Sequence, residues 1–351
     1  MQVEQASLDR FYLKEANCLA FVNGHLSLED SRLTQLPDEL VISDLKTARR
    51  NYPQLLDRLN IKAETDLGLF CYIPANTMVP DIIQLLFVGS KKTSLHHLIY
   101  LEKGAALSLL EEYRHSNEAH QVKHTVYLEA NAELNYYKLQ QDNVEVQHQD
   151  EFLVQQARDS RFKSTVLSLG AKHSTDLLRV QLCGLNASCD LRAFYHARVK
   201  QVIAHEVTVE HLSERCNSQQ IYKTIADERG RVVFKGRVKV HPGAQKTNAQ
   251  QLNQNLLLSS QAEVDAKPEL EIYADDVKCS HGSTVGQLNE EALFYLRSRG
   301  LSFSEAQHLL TCAFATNVLD DIPDSDVSEF FKRMVIENLT NECCAGDCQN
   351  G

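Results

Sequence analysis

The chain has 351 residues, long enough to bury a large core, and its 43% apolar and 24% charged composition is that of an ordered globular protein. A formal net charge of −11, with lysines and arginines scattered and no basic block, excludes a nucleic-acid partner, because such binding draws on clustered cations. The opening "MQVEQASLDRFYLKEANCLAF" lacks the apolar run of a secretory signal, and no stretch approaches the ~20 apolar residues of a membrane helix. A cytoplasmic protein, with no membrane contact and most of its ten cysteines reduced, is therefore expected.

Residues 1–65 read as an N-terminal helical region. "LDRFYLKEANCLAFVNG" and "SDLKTARRNYPQLLDRL" space their apolar residues by three and four, and Pro37 and Pro53 cut the region into short pieces.

Across 66–287 the period changes to two, and short apolar runs such as "GLFCYI", "IIQLLFVG" and "HHLIYLE" follow one another with no long helix between them. A repeat underlies this excess of strand. Ile99-Tyr100-Leu101-Glu102, with Gly104-Ala105 and Leu107, is echoed 27 residues later by Val126-Tyr127-Leu128-Glu129, with Asn131-Ala132 and Leu134. Val180, Leu182, Asn186, Ala187 and Leu191 give a fainter echo. Each unit is a strand, a Gly or Asn corner tolerant of positive φ, a small residue and a second strand. One unit cannot bury its inner face, so the units must stack as a solenoid or fold into a sandwich; a mainly β fold of the β-helix type is expected.

Residues 288–340 return to helix. Gly300 suits the left-handed position that ends "NEEALFYLRSR", and Ser302 with Glu305 forms a capping-box pattern ahead of a stripe of Ala306, Leu309, Leu310, Ala313 and Phe314. Asp326 with Glu329 is the expected cap of a third helix that turns Phe330, Phe331, Met334 and Val335 inward. These stripes suit either capping of the solenoid or partner binding. Residues 341–351 form a tail carrying Cys343, Cys344 and Cys348, read as reduced thiols or a metal clip.

The chemistry-bearing stretch is "ADDVKCSHGSTVG". On a strand, alternate side chains share a face, so Cys279 and His281 point one way and Ser280 the other, presenting sulfur and nitrogen to one soft metal or iron–sulfur species. The alternative is a buried free cysteine beside a hydrogen-bonded histidine. Asp275 and Asp276 face opposite sides and so fail as a glycosidase pair, which needs carboxyls ~5 to 9.5 Å apart in one cleft. His96, His97, His120 and His124 are assigned surface or hydrogen-bonding roles. Neither a phosphate-binding loop nor a G-x-S-x-G elbow is present.

From about Gly230 to Phe314, the run containing "KPELEIYADDVKCSHGST" and "LFYLRSRG" closely resembles the SufB/SufD family of iron–sulfur cluster assembly proteins, in its SufD branch. The SufB branch is expected to carry a cysteine ahead of the segment matching Leu256-Leu257-Leu258. Here 253–255 are Asn-Gln-Asn.

The resemblance implies a right-handed parallel β-helix flanked by helical regions. It also implies a non-enzymatic scaffold that pairs with SufB, docks the ATP-hydrolysing SufC subunit and shares a transient iron–sulfur cluster at the SufB interface. By motif, His281 matches the interface histidine that would ligate the cluster, and Cys279 its auxiliary neighbouring thiol. Leu293, Phe294, Tyr295, Arg297, Arg299 and Gly300 match the SufC-docking segment as a region. β-helix edges can pair with themselves as readily as with a sister chain, so the sequence leaves both a homodimer in isolation and the SufB heterodimer open. The rival readings are a β-helix polysaccharide lyase or hydrolase, and a structural solenoid without a cluster role.

Overall fold

The computed structural model describes residues 13, 16–32, 40–59, 61, 67–88, 93–114 and 119–340. The expected thiol-rich tail at Cys343, Cys344 and Cys348 lies outside them.

The first strands are β1 (Asn17–Val22), β2 (His25–Arg32), β3 (Val41–Asp44), β4 (Leu69–Ile73) and β5 (Ile83–Val88). Next come β6 (Thr93–Leu101), β7 (Ala106–Arg114), β8 (His120–Leu128), β9 (Glu133–Gln141), β10 (Gln147–Gln156), β11 (Arg161–Ser168) and β12 (His173–Leu182). The series closes with β13 (Ser188–Ala197), β14 (Val202–His211), β15 (Asn217–Ala226), β16 (Arg231–Val240), β17 (Asn248–Leu257), β18 (Glu263–Ile272) and β19 (Lys278–Gly286).

Odd and even strands separate into two sheets, ordered β2-β1-β5-β7-β9-β11-β13-β15-β17-β19 and β3-β4-β6-β8-β10-β12-β14-β16-β18. Alternation of this kind, with parallel pairing from β5 onward, is a β-solenoid of about seven turns. In-register stacking places like on like: Ile99, Val126, Val154, Val180, Val209 and Val238 form one fully buried column. Burying one such aliphatic side chain contributes about 1.5–3 kcal/mol.

The corner predicted from the repeat is present on every coil it names. Gly104, Asn131 and Asn186 take φ of 70°, 60° and 59°, and Ala105, Ala132 and Ala187 behind them are fully buried. Asp159, Arg215 and Lys246 hold the same left-handed position on other coils.

The N-terminal region departs from the helical reading. Asn17–Val22 is a strand, antiparallel to β2 and parallel to β5. Cys18, Leu19, Ala20 and Phe21 are all buried, and a strand buried on both faces reads as a continuous apolar run that periodicity cannot distinguish from helix. Helices do form at Leu45–Asn51, where Asp44 Oδ1 accepts from Thr47 N at 2.7 Å, and at Pro53–Arg58, which opens on its proline.

Three helices follow the solenoid: Glu290–Ser298, Phe303–Thr316 and Ser325–Thr340. The last packs on the outer face of the odd-strand sheet, where Val327, Phe331 and Val335 meet Tyr137, Leu167, Phe194 and Ile225. Asn338 anchors it there, its Oδ1 2.7 Å from His196 Nδ1, while the segment leading into it is held by Lys223 Nζ, which donates to Phe314 O (3.2 Å) and Asn317 Oδ1 (2.9 Å), and by the 2.7 Å Arg192–Asp321 pair. The cap of this helix is Asp324, accepting from the Asp326 and Val327 amides, not Asp326 itself. In the middle helix the Ser302–Glu305 capping box forms, but Leu309 is 49% exposed and the buried face is Ala306, Thr311 and Ala315.

Candidate functional site

Among the described residues β19 is the last strand of its sheet, with no strand on its outer edge. Its register sets Cys279 beside Ala249 and His281 beside Gln251, both buried, so thiol and imidazole continue two inward-facing columns at the open end of the solenoid. The His281 column turns polar as it nears that end, through Gln220 and Gln251, whose amides are bonded at 3.0 Å.

Cys279 is half-buried against Val238, Val240, Ala244, Ala249 and Ala274, and burial pushes its thiol pKa up despite the Ala249 amide aimed at it. His281 is exposed. Among the described residues it has no hydrogen-bond or ion-pair partner, which leaves both ring nitrogens available to a ligand. Lys278 N bonds to Thr247 O, toward β17, so the amides and carbonyls of Cys279, His281 and Ser283 face the free edge. Asp275 and Asp276 are exposed on the preceding turn, with Asp276 N bonded to Gln245 Oε1.

The helix Glu290–Ser298 carries Leu293, Phe294, Tyr295 and Arg297, with Arg299 and Gly300 at its end, and none of its residues is buried. Phe294 is 76% and Tyr295 56% exposed. The Arg297 and Arg299 guanidinium groups lie over the Phe303 and Tyr295 rings at 5.9 and 5.2 Å. Gly300 takes φ +98°, the left-handed stop read from the sequence. The result is an exposed, aromatic, cationic face.

The lumen holds a second polar constellation that the sequence reading missed. His96, His97, His120 and His124 are buried, so the surface role fails, while the hydrogen-bonding role holds for His96 (to Thr125 Oγ1, 3.0 Å), His97 (to Leu69 N) and His120 (to Thr93 Oγ1, 2.6 Å). His97 and His124 point inward from adjacent coils toward Glu111, and their ligand atoms lie within 4.8 Å of one another. Leu69 N donates to His97 Nδ1 at 2.9 Å, so the neutral ring carries its proton on Nε2, the atom facing Glu111. The Tyr113 and Tyr136 hydroxyls also donate to Glu111. This trio is a closed hydrogen-bond and ion-pair network with no lone pair on His97 left for a metal.

Burial drives the His97 pKa down to about 3. Burial also opposes charge on His124, but the Glu111 and Asp150 carboxylates outweigh it and raise its pKa. His124 Nε2 lies 3.0 Å from Asp150 Oδ1 without hydrogen-bond alignment, an ion pair rather than a directed bond. No residue spacing signals this cluster, because its members come from strands brought together only by coiling.

A parallel β-solenoid with an exposed last strand and an adjoining exposed aromatic helix is the class of fold this chain defines. The family model "SUF system FeS cluster assembly, SufBD core domain" matches residues 87–314, and the chain belongs to the SufB/SufD family of iron–sulfur cluster assembly proteins. It is 33% identical to the iron–sulfur cluster assembly SufBD family protein slr0076 of Synechocystis sp. (strain ATCC 27184 / PCC 6803 / Kazusa), over 92% of this chain and 78% of that protein. It is 38% identical to the iron–sulfur cluster assembly protein SufD of Escherichia coli (strain K12), over 73% of this chain and 62% of that protein. Protein ABCI7, chloroplastic, of Arabidopsis thaliana is 30% identical over 84% of this chain and 65% of its own length. The chain thus spans somewhat under two thirds of these last two relatives. No helix among the described residues is long and apolar enough to cross a membrane.

Proposed function

We propose that this chain is a SufD-type scaffold subunit. It pairs through the free edge of β19 with a SufB partner and holds a forming iron–sulfur cluster there as transient cargo. The observation that carries this reading is His281: exposed and, among the described residues, unpartnered and on a strand whose outward backbone groups meet no other strand. An imidazole ring nitrogen is a competent iron ligand. Cys279, on the same face, is an auxiliary thiol kept largely protonated by its half-buried setting.

Backbone chemistry favours the β19 edge over that of β18. In β18 the amides of Glu263 and Tyr273 bond toward β16, so even-numbered residues face outward, and Pro268 has no N–H to offer a partner there. β19 contains no proline. The exposed segment Leu293, Phe294, Tyr295, Arg297, Arg299 and Gly300 is the docking face for a SufC ATPase, which supplies the nucleotide chemistry this chain lacks.

Ser283→Pro tests the pairing. It removes one outward-facing amide and no amide bonded to β17, with the 3.2 Å side-chain bond from Ser283 Oγ to Asn253 Oδ1 also lost, so the chain should keep its circular dichroism and lose co-purification with a SufB partner. Ser283→Ala, which loses the same hydroxyl and keeps the amide, should still co-purify. A folded proline variant that still co-purifies would overturn edge pairing.

A further inference from the structure

Asp150, Asp176 and His205 stand in one inward column of the even-strand sheet on successive coils, Asp150 beside Asp176 and Asp176 beside His205. Stacked carboxylates repel unless a cation joins them. Lys138 reaches across from the other sheet, but it donates to Asp150 closely and lies 3.5 Å from Asp176 Oδ1. That long contact is Asp176's one hydrogen bond among the described residues. His205 shares a 2.7 Å bond between Nδ1 and the Tyr195 hydroxyl, while its Nε2 is buried without a partner. Burial keeps this ring neutral, with its pKa pushed down to about 4.

A cavity of about 40 Å³ is lined by Lys138, Asp150, Asp176, Tyr195 and His205, with Tyr136 and Phe152 among its other walls. We propose that this cavity is an internal water site, in which two or three ordered waters bridge the Asp176 carboxylate to His205 Nε2. A buried water needs roughly 10–15 Å³ and two to four polar partners, and both conditions are met here. Empty cavities are apolar, whereas this one presents a carboxylate held only by a 3.5 Å contact and a buried ring nitrogen with no partner among the described residues.

The waters close one hydrogen-bonded and ion-paired chain along the lumen. It runs from His97 through Glu111, His124, Asp150, Lys138 and Asp176 to His205 and Tyr195. They also select the His205 tautomer: Nε2–H donates to water on the way to Asp176, and Nδ1 accepts from Tyr195.

A high-resolution crystal structure of the full chain tests the site without any variant. Two or three water peaks are expected, one within about 3.2 Å of His205 Nε2 and one within the same reach of Asp176. A dry cavity overturns the proposal. So does a peak with an anomalous signal about 2.1 Å from a carboxylate or ring nitrogen, which marks a metal ion. In solution, ring ¹⁵N shifts should show His205 protonated at Nε2, and the opposite tautomer contradicts the bridge.

Discussion

Lys138 on β9 donates to Asp150 on β10 across the lumen, tying the two sheets together at a point where both side chains are almost wholly buried. Among the described residues, Lys138→Met would leave Asp176 without a cation and Asp150 with only His124. Breaking a buried pair by removing one partner costs about 3–5 kcal/mol. Urea denaturation should show a loss of that size, and a loss under about 1 kcal/mol would mean the pair contributes little.

Acid should destabilise the fold well before the carboxylates titrate. His96, His196, His205 and His211 are pushed down to about 4, and His97 to about 3, each chiefly by burial. Below about pH 6.5 the unfolded chain takes up protons that the folded chain refuses. Stability then falls as pH drops, by up to ~1.4 kcal/mol per pH unit for each such ring. Glu111 and Asp142 are lowered, their partners outweighing burial, so their contribution is also lost as pH falls further. His124 is raised and acts in the opposite sense: its contribution is lost as pH rises through its folded value. Six lowered rings, His120 among them, against one raised give a lower urea midpoint at pH 5 than at pH 7.5; an equal or higher midpoint at pH 5 contradicts this balance.

The solenoid corner makes a sharper stability prediction. Gly104 sits at φ +70°, and a Cβ there would lie 2.7 Å from Asn76 Oδ1. Gly104→Ala therefore adds left-handed strain of about 1–2 kcal/mol. Thermal unfolding should show a drop of a few degrees, and an unchanged midpoint would mean the corner relaxes.

What could be read from the sequence, and what could not, divides along physical lines. The Gly104, Asn131 and Asn186 corners were legible because those residue types favour positive φ. The corners at Asp159, Arg215 and Lys246 were harder, since an arginine or lysine there is tolerated only because stacking of the coils forces it. β1 was misread because its four buried residues run continuously. The pairing of Cys279 with His281 on one face followed from strand alternation alone. The lumen cluster was not legible: Glu111, Lys138 and Asp176 lie on different coils, and only the turn lengths bring them together.

The aromatic helix gives a test that separates binding from folding. Phe294 and Tyr295 are exposed and pack against little else, so Phe294→Ala should change stability by less than about 0.5 kcal/mol. Binding to a SufC partner, followed by titration calorimetry, should weaken tenfold or more. Unaltered affinity would move the docking face elsewhere.

The proposed role of His281 is tested most directly by co-expressing the chain with SufB and SufC partners, reconstituting anaerobically and recording visible absorption, with His281→Ala in parallel. An intact complex whose cluster absorption falls sharply in the variant is the predicted result. An intact complex with unchanged absorption would contradict the account, placing every cluster ligand on the partner.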